Sequence, residues 1–305
     1  MSLSTDQANV QYQGGVAGAV VDDTFYVVGG MLNPFDHLDS AYGIPTNGDR
    51  SPRSLAPLPT PRANVVAVAS EGKLFTVAGG ISDKSNSGRP EGPSTVVEAF
   101  DVATGAWKSC QDLPARRVKP GVAIVGQTLY VLGGREDKVD ANTIFAYDIA
   151  SDEWALVGTL PYAARHGAAC SFDGLIYYSG GWSAGPDGGT FQNALIEFDP
   201  QSNRCRDLSP MPEPRTAHAI VAHAGSLYVL GGIDTKKTPT STVFRYHIAE
   251  DRWSACDSLQ SNRAVFACGV RQSAHAPAVL LAGGWQKMHR QANDTLETYL
   301  LPIDG

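Results

Sequence analysis

The amino-acid sequence predicts an all-β fold, a six-bladed β-propeller of four-stranded antiparallel blades, on three observations. A Gly-Gly pair closes an apolar run six times along the 305 residues, at 29–30, 79–80, 133–134, 180–181, 231–232 and 283–284. The second glycines of consecutive pairs stand 50, 54, 47, 51 and 52 positions apart. Each period holds short β-branched and aromatic runs separated by turn residues, with almost no helical periodicity.

Each period opens on Arg followed by small and apolar residues, as in "RTAHAIVAHAGSLYVLGG" (215–232), which reads as strand one, a tight turn and strand two. Glu71-Gly72, Asp173-Gly174 and Ala224-Gly225 supply the positive φ that a short hairpin needs. The run ending in Gly-Gly is strand two, and "LYVLGG" is written identically at 129–134 and 227–232 because two blades impose the same packing. Strand three ends in an aromatic: Phe100, Tyr147, Phe198 or Tyr246. Seven residues later stands Trp107, Trp154 or Trp253, with Cys205 in the remaining slot. Leu113-Pro114, Leu160-Pro161 and Met211-Pro212 then lead into the next blade.

Gly-Gly after strand two, an aromatic at strand three, Trp seven later and Pro before the next Arg resemble the Kelch repeat. The likeness covers essentially the whole chain. It implies one repeat per four-stranded blade, hence a single Kelch propeller domain over residues 1–305. Two blades depart from the pattern. Residues 32–59 lack the aromatic and the Trp, and the chain ends just after strand three of blade six. Residues near Leu3–Asn9 are therefore expected to supply that blade's fourth strand, tying the termini together and removing an open edge. The chain is expected to be a free-standing propeller, without an N-terminal partner domain.

Composition narrows the functional classes. A net charge of −7 argues against a general nucleic-acid or anionic-membrane binder. No apolar stretch is long enough to span a bilayer, and the N-terminus lacks the pattern of a secretory signal. Five cysteines without a CxxC suit a reducing, cytoplasmic setting with no disulfide framework, and a monomer is expected. No metal or cofactor motif is present, so none is expected.

In an up-and-down blade, the loops joining strands two and three share a face with those leading from strand four into the next blade. The variable segments of this sequence are the two–three loops, so function is expected on that face. The residues directly after each Gly-Gly, namely Met31, Ile81, Arg135, Trp182, Ile233 and Trp285, are expected to ring the channel mouth. Arg135, Trp182, Trp285 and Met31 are candidate ligand contacts through charge, stacking and cation–π attraction, although the tryptophans could equally plug the channel or pack between blades. The blade-opening arginines, Arg62, Arg116/Arg117, Arg165, Arg215 and Arg263, either brace the blades or bind anions. Arg117 and Arg165 join the candidate ligand contacts, and the resemblance implies that arginines in this zone bind acidic peptides in adaptor members. His166 and His218 are candidate ligand contacts and, with Arg117, weak catalytic candidates. His37 and His289 lie in loops, with Asp36, Asp39, Glu136 and Asp187 as acids near this face. "GWSAG" (181–185) matches the G-x-S-x-G hydrolase pattern but follows a propeller strand into a Gly-rich loop.

The leading expectation is a binding protein that recognises a protein, peptide or small-molecule partner on this face. The alternative is a cofactor-free small-molecule isomerase, cyclase or lyase with its site at the channel mouth.

Overall fold

The computed structural model describes residues 13–33, 36–82, 92–185, 188–272, 277–287, 291–293 and 295–302. Strand patterning and turn chemistry produce the expected six antiparallel sheets around a central channel. Blade one runs Gly14–Val21, Thr24–Asn33, Ala41–Pro45 and Arg53–Ser54, paired in that order. Blades two to five repeat the order with four strands each, and their innermost strands are Val66–Ser70, Gly121–Val125, Ala168–Phe172 and Ala219–His223. Blade six contributes Ala267–Arg271, Ala278–Ala282 and Leu296–Leu300 among the described residues. Leu300 is 66% exposed on its outermost described strand. The segment Leu3–Asn9, expected to complete this blade, lies outside the described residues. No described helix is long and apolar enough to cross a membrane.

Alternation along each strand places successive side chains against opposite neighbours. In blade three, Leu129 and Val131 pack with Phe75, Val77 and Val97 of blade two. Tyr130 and Leu132 pack on the other side with Ile176, Tyr178 and Phe198 of blade four. Such clusters occur between every pair of neighbours. The one joining Val16, Phe25 and Val27 to Ala267, Leu280 and Ala282 closes blade six onto blade one. The core is thus a ring of inter-blade layers, and the sheet faces account for the fully apolar strands.

The Trp seven residues after the strand-three aromatic has a cross-blade task. Nε1 of Trp107, Trp154 and Trp253 donates to the carbonyls of Ala56, Gln111 and Ser209, each in the preceding blade. Cys205 fills the slot in kind, its Sγ lying 3.5 Å from the Thr159 carbonyl. The aromatic partner stacks on the indole, with Tyr147 and Trp154 centroids 4.8 Å apart.

Candidate functional site

The channel mouth is framed by a triplet that opens each blade. Its third members are Gly15, Asn64, Lys119, His166, Ala217 and Val265, and all six have left-handed backbone, with φ between 51° and 75°. Their peptides join blade to blade. Asn64 N–H donates to Gly15 O, Gly15 to Val265 O, Val265 to Ala217 O, Ala217 to His166 O and His166 to Lys119 O. Five non-glycine residues in this conformation, one of them β-branched, represent strain sustained by that chain of blade-to-blade bonds. Below the ring a channel of about 530 Å³ is lined by the inner strands and by Asn64, Lys119, His166, Ala217 and Val265. Side chains at the ring divide by type: blades two to four present Asn64, Lys119 and His166, whereas blades five, six and one present Ala217, Val265 and Gly15.

The residues after Gly-Gly form a second tier outside this ring rather than lining the channel itself. Each bridges to the middle residue of a blade-opening triplet: Arg135 to Val118, Trp182 to Arg165, Ile233 to Thr216 and Trp285 to Ala264. Blade two corrects the sequence reading by one position. Gly79 N–H donates to Arg117 O, just as Gly134 N–H donates to Ala164 O and Gly30 N–H to Arg62 O. The structural counterpart of Gly-Gly there is Ala78-Gly79, with Ala78 at φ 56°. The tier residue of blade two is therefore Gly80, which bridges to Ala63, and not Ile81.

Two tier residues are committed to packing. Trp285 is 5% exposed and clusters with Met31 and Ala63, with Val265 packed against them. A Cβ at Gly14 would lie 1.9 Å from the Trp285 ring, so that glycine makes room for the indole between blades six and one. Met31 is also buried, and its Cε would lie 2.9 Å from a Cβ on Gly15. Of the sequence readings for Trp285, packing between blades fits this burial.

The blade-opening arginines separate into two groups. Arg62, Arg117, Arg215 and Arg263 are at most 1% exposed and bond their own blades. Arg62 donates to the carbonyls of Ala78 and Val96 and pairs with Glu98 at 2.6 Å. Arg263 donates to Gly283 O and Thr295 O and pairs with Glu297. Arg117, singled out in the sequence, occupies this common position; it bonds Thr143 Oγ1 and Glu136 and lies over Phe145. The residue outside the pattern is its exposed neighbour Arg116. Arg215 repeats the arrangement on Thr242, Glu213 and Phe244. Burial weighs against a ligand role for Arg117. In blade four the bracing position holds Ala164, and Arg165 falls one residue later in the triplet.

That shift creates an inter-blade cluster at the edge of the mouth. Arg165, with its side chain 19% exposed, donates to Asp140 Oδ1 at 2.7 Å and stacks 4.0 Å from the Trp182 ring centroid. Asp140 Oδ2 also accepts from the Ala184 peptide at 2.6 Å. Asp140 faces Arg135 in the register of the Arg135–Glu136 and Val139–Asp140 hairpin. Both its oxygens are nevertheless engaged by blade four. Glu136 is engaged by Arg117. The Arg135 guanidinium consequently has no hydrogen bond or ion pair among the described residues, and its Nε is buried without a partner. The same buried Nε recurs in the bracing Arg117, Arg215 and Arg263, so what sets Arg135 apart is a half-exposed guanidinium without a counter-charge, which suits an anion at its terminal nitrogens.

His218 Nε2 lies 2.8 Å from Ser179 Oγ, both groups being buried. Burial, reinforced by Arg215, pushes the His218 pKa down to about 3, so the ring is neutral at physiological pH. His166 is half-buried at the ring and lines the channel. His37 is buried on a two-residue strand rather than displayed on a loop. His289 and Asp187 lie outside the described residues. Ser183 donates to Ala163 O and accepts from Gln192, which leaves the G-x-S-x-G serine without the setting of a nucleophile. Among the described residues, no three His, Cys, Asp or Glu side chains are placed to hold a metal ion.

Sequence reading missed Asp140 and the ring residues Asn64 and Lys119. Aligning the opening triplets 62–64, 117–119, 164–166, 215–217 and 263–265 against one another would have separated the bracing position from the ring position.

Comparison with known proteins agrees with this architecture. Residues 99–284 match the KLHDC2/KLHL20/DRC7 Kelch-repeats domain, and residues 61–114 match the Kelch motif. Kelch-like protein 40 of Mus musculus is 27% identical over 247 residues, covering 80% of this chain and 38% of that protein. Kelch-like protein terF of Aspergillus terreus is 27% identical over 260 residues, covering 79% of this chain and 55% of that protein. The chain thus spans from about a third to just over half of the length of these curated relatives. The solved structure of YjhT shares the fold at a TM-score of 0.80 and 17% identity, covering 97% of this chain and 99% of that one.

Proposed function

The chain belongs to the Kelch-repeat family, and we propose that it is a binding protein that recognises an anionic group of its partner on the face formed by the two–three and four–one loops. The observation that carries this reading is Arg135, whose guanidinium is half-exposed and unpaired among the described residues while its two neighbouring carboxylates serve other arginines. Arg165 and Trp182 beside it add a stacked cation and an aromatic surface. Lys119 and His166 stand at the adjoining ring positions and line the channel. Arg135 stands in the tier outside the channel lining, and the channel inside the adjoining ring offers space for the remainder of a ligand. On the same reading the protein acts as a monomer in the cytoplasm, where its five cysteines stay free.

The test is an NMR titration with acetate that follows the Arg135 Nε–H. A saturable shift in the wild type that is absent from Arg135→Gln, with fold and stability retained, supports the reading. Equal acetate binding by both proteins overturns it.

A further inference from the structure

The geometry points to an amphipathic monocarboxylate as the ligand class, with its carboxylate on Arg135 and an apolar chain running over the ring onto the wall of blades five, six and one. This rests on Arg135 being the anion site. The ring divides into halves that differ in chemistry. Beside Arg135 stand Lys119 and His166, with Asn64 completing the polar arc, and all three line the channel. Opposite them the ring offers only Ala217, Val265 and Gly15, and the wall behind continues as Val16, Ile220 and the half-buried Phe266, with the buried, neutral His218 beside Ala217 and Gln272 at the end of the blade-six strand. The tier outside repeats the division. Arg135 and the Arg165–Trp182 stack lie on blades three and four, whereas Ile233, Trp285 and Met31 lie on blades five, six and one.

Charge matching confines the ligand's negative group to the side of the ring that carries Arg135 and Lys119. Arg117 and Arg215 are buried and each pairs with a carboxylate of this chain, as do Arg62 and Arg263. Arg165 is held by Asp140. A second carboxylate delivered to the far half of the ring would meet Val265 and Phe266, where burial of a charge without a partner is costly. A methylene chain at that place instead exchanges water for apolar carbon. Each CH₂ withdrawn from water strengthens binding about fourfold.

Calorimetric or NMR titrations with acetate, hexanoate and adipate test this. Hexanoate and adipate have the same number of carbons and differ by a second carboxylate. The expected result is hexanoate binding at least about tenfold tighter than acetate and clearly tighter than adipate. In Val265→Asn, a residue type that tolerates left-handed backbone, acetate affinity should be unchanged and the advantage of hexanoate should fall severalfold. Hexanoate no tighter than acetate, or adipate matching hexanoate, overturns the inference and points to a polar or polyanionic partner such as an acidic peptide. Those outcomes leave Arg135 as the anion site intact. Acetate binding that survives Arg135→Gln removes that site, whatever the order of the three ligands.

Discussion

Asp140 faces Arg135 across the blade-three hairpin, yet its carboxylate bonds Arg165 of blade four at 2.7 Å. This diversion leaves one guanidinium at the mouth without a counter-charge, and it makes residues on two blades compete for one carboxylate. Arg165→Ala should therefore weaken acetate binding several-fold, because Asp140 is released to neutralise Arg135. Asp140→Asn should strengthen it by freeing a second guanidinium. Titrations that move both variants in the same direction contradict the competition.

The buried arginines should behave as structural members. Arg62→Ala leaves Glu98 in the interior without its partner and should cost about 3–5 kcal/mol in urea unfolding. Arg135→Ala breaks no pair among the described residues and should stay within about 0.5 kcal/mol of the wild type. A larger loss at Arg135 than at Arg62 would reverse the division drawn between bracing and binding arginines.

The cross-blade indole bond isolates a small term. Trp154→Phe keeps most of the stacking on Tyr147 and removes the donor to the Gln111 carbonyl. The expected loss is about 1 kcal/mol. Unfolding midpoints indistinguishable from the wild type would show that this bond adds nothing beyond packing.

Strain at the ring predicts a stabilising substitution. Ala217 holds φ 56°, a conformation glycine adopts without the Cβ penalty. Ala217→Gly should raise stability by about 0.5–1 kcal/mol, the strain relieved exceeding the added backbone entropy of the unfolded chain. A fall in Tm would refute it.

His218 predicts a pH dependence. Its folded pKa of about 3 lies below the value of about 6.5 expected for an unfolded chain, so between them the unfolded state binds the extra proton. Stability from this group is complete above about pH 6.5 and falls as pH drops towards 3, by at most about 1.4 kcal/mol per pH unit. His218→Gln should flatten that part of the profile. A profile with unchanged slope would place the proton elsewhere.

The repeat itself was legible because packing is periodic. Phe100, Tyr147, Phe198 and Tyr246 meet the same neighbours in successive blades, and self-similarity exposes them without any knowledge of contacts. The bracing and binding arginines were harder to separate. Arg116 and Arg117 adjoin in sequence, and only side-chain burial shows which one takes the common position. In blade two, three small residues in a row, Ala78, Gly79 and Gly80, hid the true register, because alanine adopts the left-handed backbone that glycine holds in the other blades.

What the sequence alone determined was the number of blades, the strand order and the face bearing the variable loops, since each follows from a pattern that recurs every fifty or so residues. What the tertiary structure decided was which charges cancel. Asp140 and Arg165 lie 25 positions apart on different blades. Their pairing depends on where two side chains end in space, a quantity that no repeat period encodes. The same holds for Trp285, whose burial follows from the absence of a Cβ at Gly14 on the neighbouring blade. Periodic contacts build the scaffold, and the contacts that break the period leave Arg135 open.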